Sequence, residues 1–343
     1  MRNFARFFAL CLTLLPASAL PEPPINLVGV LLPLTGEVAD YGAKLRKGIE
    51  QANQPGIKFI YEDDACQSAK GLTGYQNLRR QGVKYFLGPC CGSPMKTVAP
   101  HFAAAEQLSF ATCPISDEAY ETSKGRVLLP QYSVEDESTF NAHEIHAKGF
   151  KRIVLLFQDT ELARAHEKVF RDKFPGTIVD TLIYNTANAM ELRPLMLKLK
   201  QLNYDALYVP HVEPLLLGVL REMAKIGIRG KQVFSIYSAQ MPEVISINGK
   251  AAEGFMYSYP DIPLEEDAIS FFPKMGAEML AQALTHCTGE YRCVTDYLRS
   301  HFEFSSTGAL VRKIVLRTIR DGKFELTQMA PITIDGNGQK AAN

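Results

Sequence analysis

The chain carries no net charge. Its 343 residues hold 37 Lys and Arg against 37 Asp and Glu, so no long-range field draws it to nucleic acid or to anionic lipid. Tryptophan is absent, which by itself argues nothing. Beyond the first residues there is no long apolar run. The most apolar later stretch, residues 215–220, makes only a turn or two of helix, far short of the ~20 residues that cross a bilayer. Common catalytic signatures are missing too. There is no G-x-S-x-G elbow and no G-x-x-x-x-G-K-[ST] phosphate loop, and Gly29 has no G-x-G-x-x-G around it. The cysteines show no C-x-x-C spacing and no nearby histidine pair, which argues against structural zinc. His143 and His146 lack the acid–histidine set that completes a metal motif and are read as exposed. No cofactor, no metal and no enzymatic activity are expected.

What is present begins with an export signal. Arg2 and Arg6 give a positive start, residues 7–15 form an apolar run broken at Pro16, and Ala17-Ser18-Ala19 has the small-x-small form of a cleavage site. Residues 1–19 are therefore expected to be removed. Cys11 follows bulky Leu10 and is not expected to carry lipid. Six cysteines remain: Cys66, Cys90, Cys91, Cys113, Cys287 and Cys293. An even number in an oxidising compartment suggests disulfides, and Cys287 and Cys293 flank a short glycine-containing loop suited to a local bridge.

The chain alternates apolar strand-like runs with helix-length amphipathic runs. Strands are expected at residues 25–32, 58–61, 85–87 and 108–111, with helices near 45–52 and at 69–80 and 95–106. After Pro130 the alternation restarts: helices at 135–147, 161–174, 191–202 and 215–225, strands at 152–157, 177–184, 206–209 and 232–236. Apolar strands separated by helices need crossovers and so imply parallel sheets covered on both faces. The result is two α/β units. Residues 127–133 form the best boundary, and a second crossing is expected at 256–263, where two prolines interrupt the pattern. Helices at 272–284 and 294–302 and a hairpin turning at Asp321-Gly322 close the chain.

In open parallel sheets ligands collect where strand ends lead into helices. Three loops of the first unit qualify: residues 32–41 (LPLTGEVADY), 88–93 (GPCCGS) and 112–117 (TCPISD). Gly92 and Ser93 open a helix whose N–H groups can hold an anion, although Ser93 reads first as the helix N-cap. Asp63 and Asp64 follow a strand and read as solvated turn acids.

Several stretches together resemble one family. Residues 28–42 (VGVLLPLTGEVADYG), 61–66 (YEDDAC), 82–89 (GVKYFLGP), 220–227 (LREMAKIG) and 252–255 (AEGF) are similar to the type I periplasmic binding proteins, in particular the leucine/isoleucine/valine-binding branch serving ABC importers. The resemblance implies an α/β fold of two Rossmann-like lobes with parallel sheets, joined by three crossing strands. Lobe 1 would comprise residues 20–131 plus about 260–305, lobe 2 residues 132–259 plus about 306–336, and residues 337–343 a tail. It also implies a Cys66–Cys91 bridge, with Cys90 as the alternative to Cys91, and leaves Cys113 to pair with the remaining neighbour. Tyr41 matches a pocket aromatic, Gly92 and Ser93 the carboxylate grip, and Ser116 a second hydroxyl position within a residue or two. The second lobe departs from the family pattern. Residues 160–164 (TELAR) stand where a Tyr-Gly pair is usual, a ligand tyrosine would fall near Val212, and the acid that meets an ammonium would fall near Tyr237. Glu161, Glu213 and His211 are the candidates to complete that half.

The implied function is capture of a small polar, anionic or amino-acid-like solute between closing lobes for an ABC importer. The departures point away from branched-chain amino acids and toward a flatter, less cationic ligand. The chain is expected to be periplasmic, soluble and monomeric, with an inner-membrane permease complex as partner and no nucleic acid. Competing readings are a sensor module on the same fold, an activator of a cell-envelope enzyme, and, last, a hydrolase, for which no nucleophile–base set is visible.

Overall fold

The computed structural model describes residues 25–52, 55–185, 189–210, 215–327 and 332–333. The expected export signal, His211, Val212, Glu213 and the expected tail lie outside them.

The first unit runs β1 (Asn26–Leu32), α1 (Ala39–Gln51), β2 (Ile57–Asp63), α2 (Ser68–Arg80), β3 (Tyr85–Leu87), α3 (Gly92–Ala103), β4 (Leu108–Phe110), α4 (Glu118–Thr122) and β5 (Val127–Leu128). Its five strands are ordered β2-β1-β3-β4-β5, all parallel. Both faces are covered, and β1 shows why it reads as uniformly apolar. Val28, Val30 and Leu32 join the core that contains Leu45 and Ile49 of α1. Leu31 joins a separate core with Tyr75 and Leu78 of α2 and Met95, Val98 and Phe102 of α3. A strand with period-2 side chains and two apolar faces has no position left for a polar residue.

The second unit runs α5 (Val134–Ala147), β6 (Arg152–Gln158), α6 (Glu161–Lys173), β7 (Thr177–Tyr184), α7 (Ala189–Gln201), β8 (Ala206–Tyr208), α8 (Leu215–Ile226), β9 (Gln232–Ser235), α9 (Pro242–Asn248) and β10 (Met256–Pro260). The chain then returns to the first unit as α10 (Ala268–Cys287) and α11 (Tyr291–His301), and ends in the second sheet as β11 (Lys313–Arg320), β12 (Lys323–Leu326) and β13 (Ile332–Thr333). The second sheet is ordered β12-β11-β10-β9-β8-β6-β7, with β13 also on β11. It is parallel from β7 to β10 and antiparallel at β11. The β11–β12 hairpin turns at Asp321 (φ 51°) and Gly322 (φ 67°), the two left-handed residues of a tight hairpin turn.

The chain passes between the sheets three times. Leu129 and Ala309, on two of these passages, form a parallel bridge. The return helix α10 lies on α1 so closely that a Cβ on Gly48 would collide with the Ser270 carbonyl. The crossing expected near 256–263 follows directly on β10, between Pro260 and Ala268, with Pro260 at the last position of the strand, where a missing N–H is tolerated. The third helix begins one residue after Cys91 rather than at 95, because Pro94 sits in its first turn, where no donor is required.

Candidate functional site

Each sheet reverses its winding once. In the first, β1 leads outward to β2 while β3 continues on its other side; in the second, β6 leads to β7 while β8 lies opposite. The loops leaving β1 and β3 carry Tyr41 into α1 and Gly92 and Ser93 into α3. The loop leaving β6 carries Glu161 into α6. Such switch points form crevices at strand ends, and these two crevices face one another.

Tyr41 and Tyr237 join the two units directly. Tyr237 lies on a short 3-10 turn after β9, and its phenol oxygen is 2.6 Å from that of Tyr41. Both rings are buried, and desolvation pushes both phenols above their ordinary range. Cys113 Sγ lies 3.8 Å from the Tyr41 oxygen. It is bonded to Cys90 and so has no proton to donate.

A second meeting point lies beside the first. Ser93 Oγ donates to Glu161 Oε2 at 3.1 Å, and Lys96 Nζ stands 3.5 Å from Glu161 Oε1 and 3.7 Å from Glu118 Oε1. Ser93 is therefore not the N-cap. Cys91 holds that position without a side-chain bond, leaving the Ser93 hydroxyl free to reach across the seam. A Cβ on Gly92 would come within 3.5 Å of the Glu161 chain. Ser116 faces a different acid, donating to Glu135 Oε1 at 2.7 Å. Gly92, Ser116 and Glu161 nonetheless share the wall of one cavity of about 40 Å³, which is water-sized.

The first-unit loops are held from behind. Asp64 is not a solvated acid, which corrects the reading from sequence, and Asp63 is only partly solvated. Asp63 accepts from the Leu34 amide (2.8 Å), the Thr35 hydroxyl (2.5 Å) and the Ala65 amide (2.9 Å). These bonds hold its carboxyl below the usual range despite the opposing desolvation. Asp64 is fully buried, accepts from the Cys66 amide at 2.8 Å, and is pushed up to about 6 by desolvation. Ala65 and Cys66 take left-handed backbone angles (φ 45° and 57°), which these bonds sustain. Cys66 is joined to Cys91, Cys90 to Cys113 and Cys287 to Cys293, with Cα separations of 5.3, 4.8 and 5.5 Å. Adjacent cysteines thus tie the loop before α3 in two directions.

Behind Tyr237 lies a buried polar group that sequence reasoning missed. Glu137, on α5, is completely buried. Its Oε1 accepts from Ser258 Oγ at 2.6 Å and from the Tyr237 amide at 2.9 Å. Asn141 Nδ2 donates to Ser258 Oγ at 2.9 Å. His166, on α6, is equally buried, with Nδ1 2.7 Å from Ser138 Oγ. In the sequence Glu137 is one of three consecutive acids at a helix start, where Ser133 and Asp136 make a capping box. Nothing in that pattern separates the buried acid from its neighbours. Among the described residues no three metal-ligating side chains come together, and no helix is long and apolar enough to cross a membrane.

Two α/β lobes, linked by three passages and meeting through polar side chains at their facing strand ends, define a solute-binding module. The chain belongs to the periplasmic binding protein family, whose model matches residues 27–291. It is 22% identical over 246 residues to the Leu/Ile/Val-binding protein of Citrobacter freundii, covering 68% of this chain and 67% of that one. The fold matches the leucine binding protein LivK of Thermotoga maritima with a TM-score of 0.78 at 15% identity, over 90% of this chain and 99% of that one. A solute binding protein of an ABC transporter from Rhodopseudomonas palustris, solved with p-hydroxybenzoic acid, matches with a TM-score of 0.79 at 17% identity, over 91% and 98%. The chain is a binding protein of this family and not an enzyme.

Proposed function

We propose that the chain captures a small polar, anionic or amino-acid-like solute between its two lobes in the periplasm and delivers it, as a monomer without a lipid anchor, to an ABC permease complex. Lobe 1 is assigned residues 20–131 with about 260–305, and lobe 2 residues 132–259 with about 306–336. The observation that carries this reading is the pairing of candidate residues across the seam: Tyr41 with Tyr237 at 2.6 Å and Ser93 with Glu161 at 3.1 Å. A cavity of about 40 Å³ at that seam is too small for such a solute, so entry requires the lobes to part and close again.

Two relatives support this solute class. One binds leucine, isoleucine and valine and another was solved with p-hydroxybenzoic acid, and all of these carry a carboxylate. In this chain the start of α3 suits that group. Tyr237 stands where the resemblance expects the acid that meets an ammonium, and its phenol pairs with Tyr41 instead, which favours an aromatic or other non-ammonium carboxylate over a branched-chain amino acid. A thermal-shift screen on refolded, ligand-free protein over amino acids, amides, organic acids and aromatic acids tests it. A true ligand at 100 times its Kd stabilises by about 2.7 kcal/mol. Silence across every class would refute solute capture. Micromolar leucine binding that is lost on Ser93→Ala would refute the exclusion of branched-chain amino acids.

A further inference from the structure

Glu137 Oε2 and His166 Nε2 face each other at 3.9 Å inside lobe 2, with both side chains completely buried. Neither atom has a hydrogen-bond partner among the described residues. A neutral imidazole can turn its one proton only one way: on Nδ1 it leaves two acceptors facing one another, and on Nε2 it bonds a carboxylate that is still a buried charge without a cation beside it. A proton taken up by the pair removes that charge and lets the ring keep its own proton on Nδ1. Placed on Oε2, it points at Nε2, a modest rotation of Glu137 closes the gap, and Nδ1–H is left to donate to Ser138 Oγ at 2.7 Å.

The surroundings offer that proton little competition. Facing Glu137 are His166 of α6, Tyr208 of β8, Tyr237 after β9, Ser258 of β10 and Tyr132 before α5, with Tyr41 of α1 beyond Tyr237. The charge of Asp267, preceding α10, acts on Tyr41. The buried guanidinium of Arg317 on β11 lies 4.1 Å from the centre of the Tyr259 ring and is bonded to Gln240 and the Ile262 carbonyl. No cation contacts Glu137 among the described residues, and desolvation raises its carboxyl to about 7 while lowering His166 to about 3.

The group sits directly behind the lobe contact. The oxygen of Glu137 opposite the orphan one accepts from the Tyr237 amide, and the Tyr237 phenol meets Tyr41 of the other lobe. We propose that Glu137 and His166 form a proton-binding site that controls lobe closure: with the proton bound the lobes stay shut, and its loss opens them. An ionised Glu137 gains most by reaching water, and separating Tyr41 from Tyr237 is the movement that admits it. Protonation and closure are then linked, and the open-to-closed ratio rises by up to about tenfold per pH unit between the carboxyl's open and closed values. The inference rests on the two-lobe solute-binding reading.

Small-angle X-ray scattering on the ligand-free full chain between pH 5.5 and 8.5 tests it. The wild type should become more extended as pH rises toward about 7 and level off above it. Glu137→Gln, which mimics the protonated side chain, should stay compact throughout. Tyr237→Phe keeps the amide on Glu137 but loses the phenol pair, so its transition should move to lower pH. A wild-type radius of gyration that does not change with pH overturns the proposal, as does a Gln variant that follows the wild type. Should that variant fail to fold, an unmoved midpoint in Tyr237→Phe overturns it equally. A pH-dependent opening in a protein that binds no screened solute would support the switch while refuting solute capture. Solute binding with a pH-independent radius would do the reverse.

Discussion

Tyr41 and Tyr237, 196 positions apart in the chain, place their phenol oxygens 2.6 Å apart, one on each lobe. Each is the other's hydrogen-bond partner inside a buried seam, so the two hydroxyls stand or fall together.

Replacing either tyrosine by phenylalanine should therefore cost about 1–3 kcal/mol, because the surviving hydroxyl is left buried and unpaired. The double variant should cost no more than either single one, since both polar groups are then gone. Thermal unfolding of the four proteins in one buffer gives the coupling directly. Strictly additive losses would mean that the two oxygens do not bond.

Stability should peak in mild acid. Burial raises Glu137 from 4.5 to about 7, so its contribution is complete below 4.5 and is lost as pH rises through about 7. Burial lowers His166 from 6.5 to about 3, so its contribution is complete above 6.5 and is lost as pH falls through about 3. Between 4.5 and 6.5 the loss from Glu137 and the gain from His166 offset each other, so their sum is highest and level there and falls on either side. Asp64 and Asp117, raised to about 6 and about 7, add to the alkaline fall. The share of Glu137 is thus the difference between the wild-type Tm profile and that of Glu137→Gln. Superimposable profiles above pH 6 would remove Glu137 from the account.

Ser93 and Glu161 should separate affinity from stability. The Glu161 carboxylate is well exposed, and exposed ion pairs contribute about 0–1 kcal/mol, so Glu161→Ala should leave Tm nearly unchanged. Its carboxylate nevertheless occupies the Ser93 hydroxyl. Its removal should strengthen binding of a simple aromatic acid, and Ser93→Ala should weaken it by tenfold or more, the worth of a charge-assisted bond of about 1.5–3 kcal/mol. Calorimetry showing that Glu161→Ala abolishes binding would identify an amino acid, with Glu161 meeting its ammonium.

The bridge between Cys66 and Cys91, separated by 25 positions, should contribute roughly 3 kcal/mol by restricting the unfolded chain. Peptide mapping without reductant should recover Cys66 with Cys91, Cys90 with Cys113, and Cys287 with Cys293. Free thiols at Cys66 and Cys91, or Cys66 linked to Cys90, would contradict the pairing.

The alternation of elements was legible in the sequence because it rests on short-range periodicity. β3 and β7 fall on their expected limits and most other strands within a few residues. What the sequence hid depends on contacts far along the chain. Asp64 is next to the partly solvated Asp63 and gives no sign that it is buried, because its burial comes from α2 and α3 folding over it. Glu137 is indistinguishable from Glu135 until β10 and the turn bearing Tyr237 arrive from more than 90 residues away. The pairing of Ser93 with Glu161 was likewise invisible, since each residue reads locally as the start of its own helix.

The position of α10 has a consequence for how the protein is made. The helix that covers α1 at Gly48 comes after the whole of the second parallel run, and β11, the neighbour of β10, comes later still. The first sheet thus lacks its outer layer until residue 287 is available, and the second lacks its antiparallel edge until residue 326. A chain emerging N-terminus first cannot complete one lobe and then begin the other. Both stay unfinished until nearly all of it has been made, so neither lobe can set into a finished body that the later segments would have to prise open.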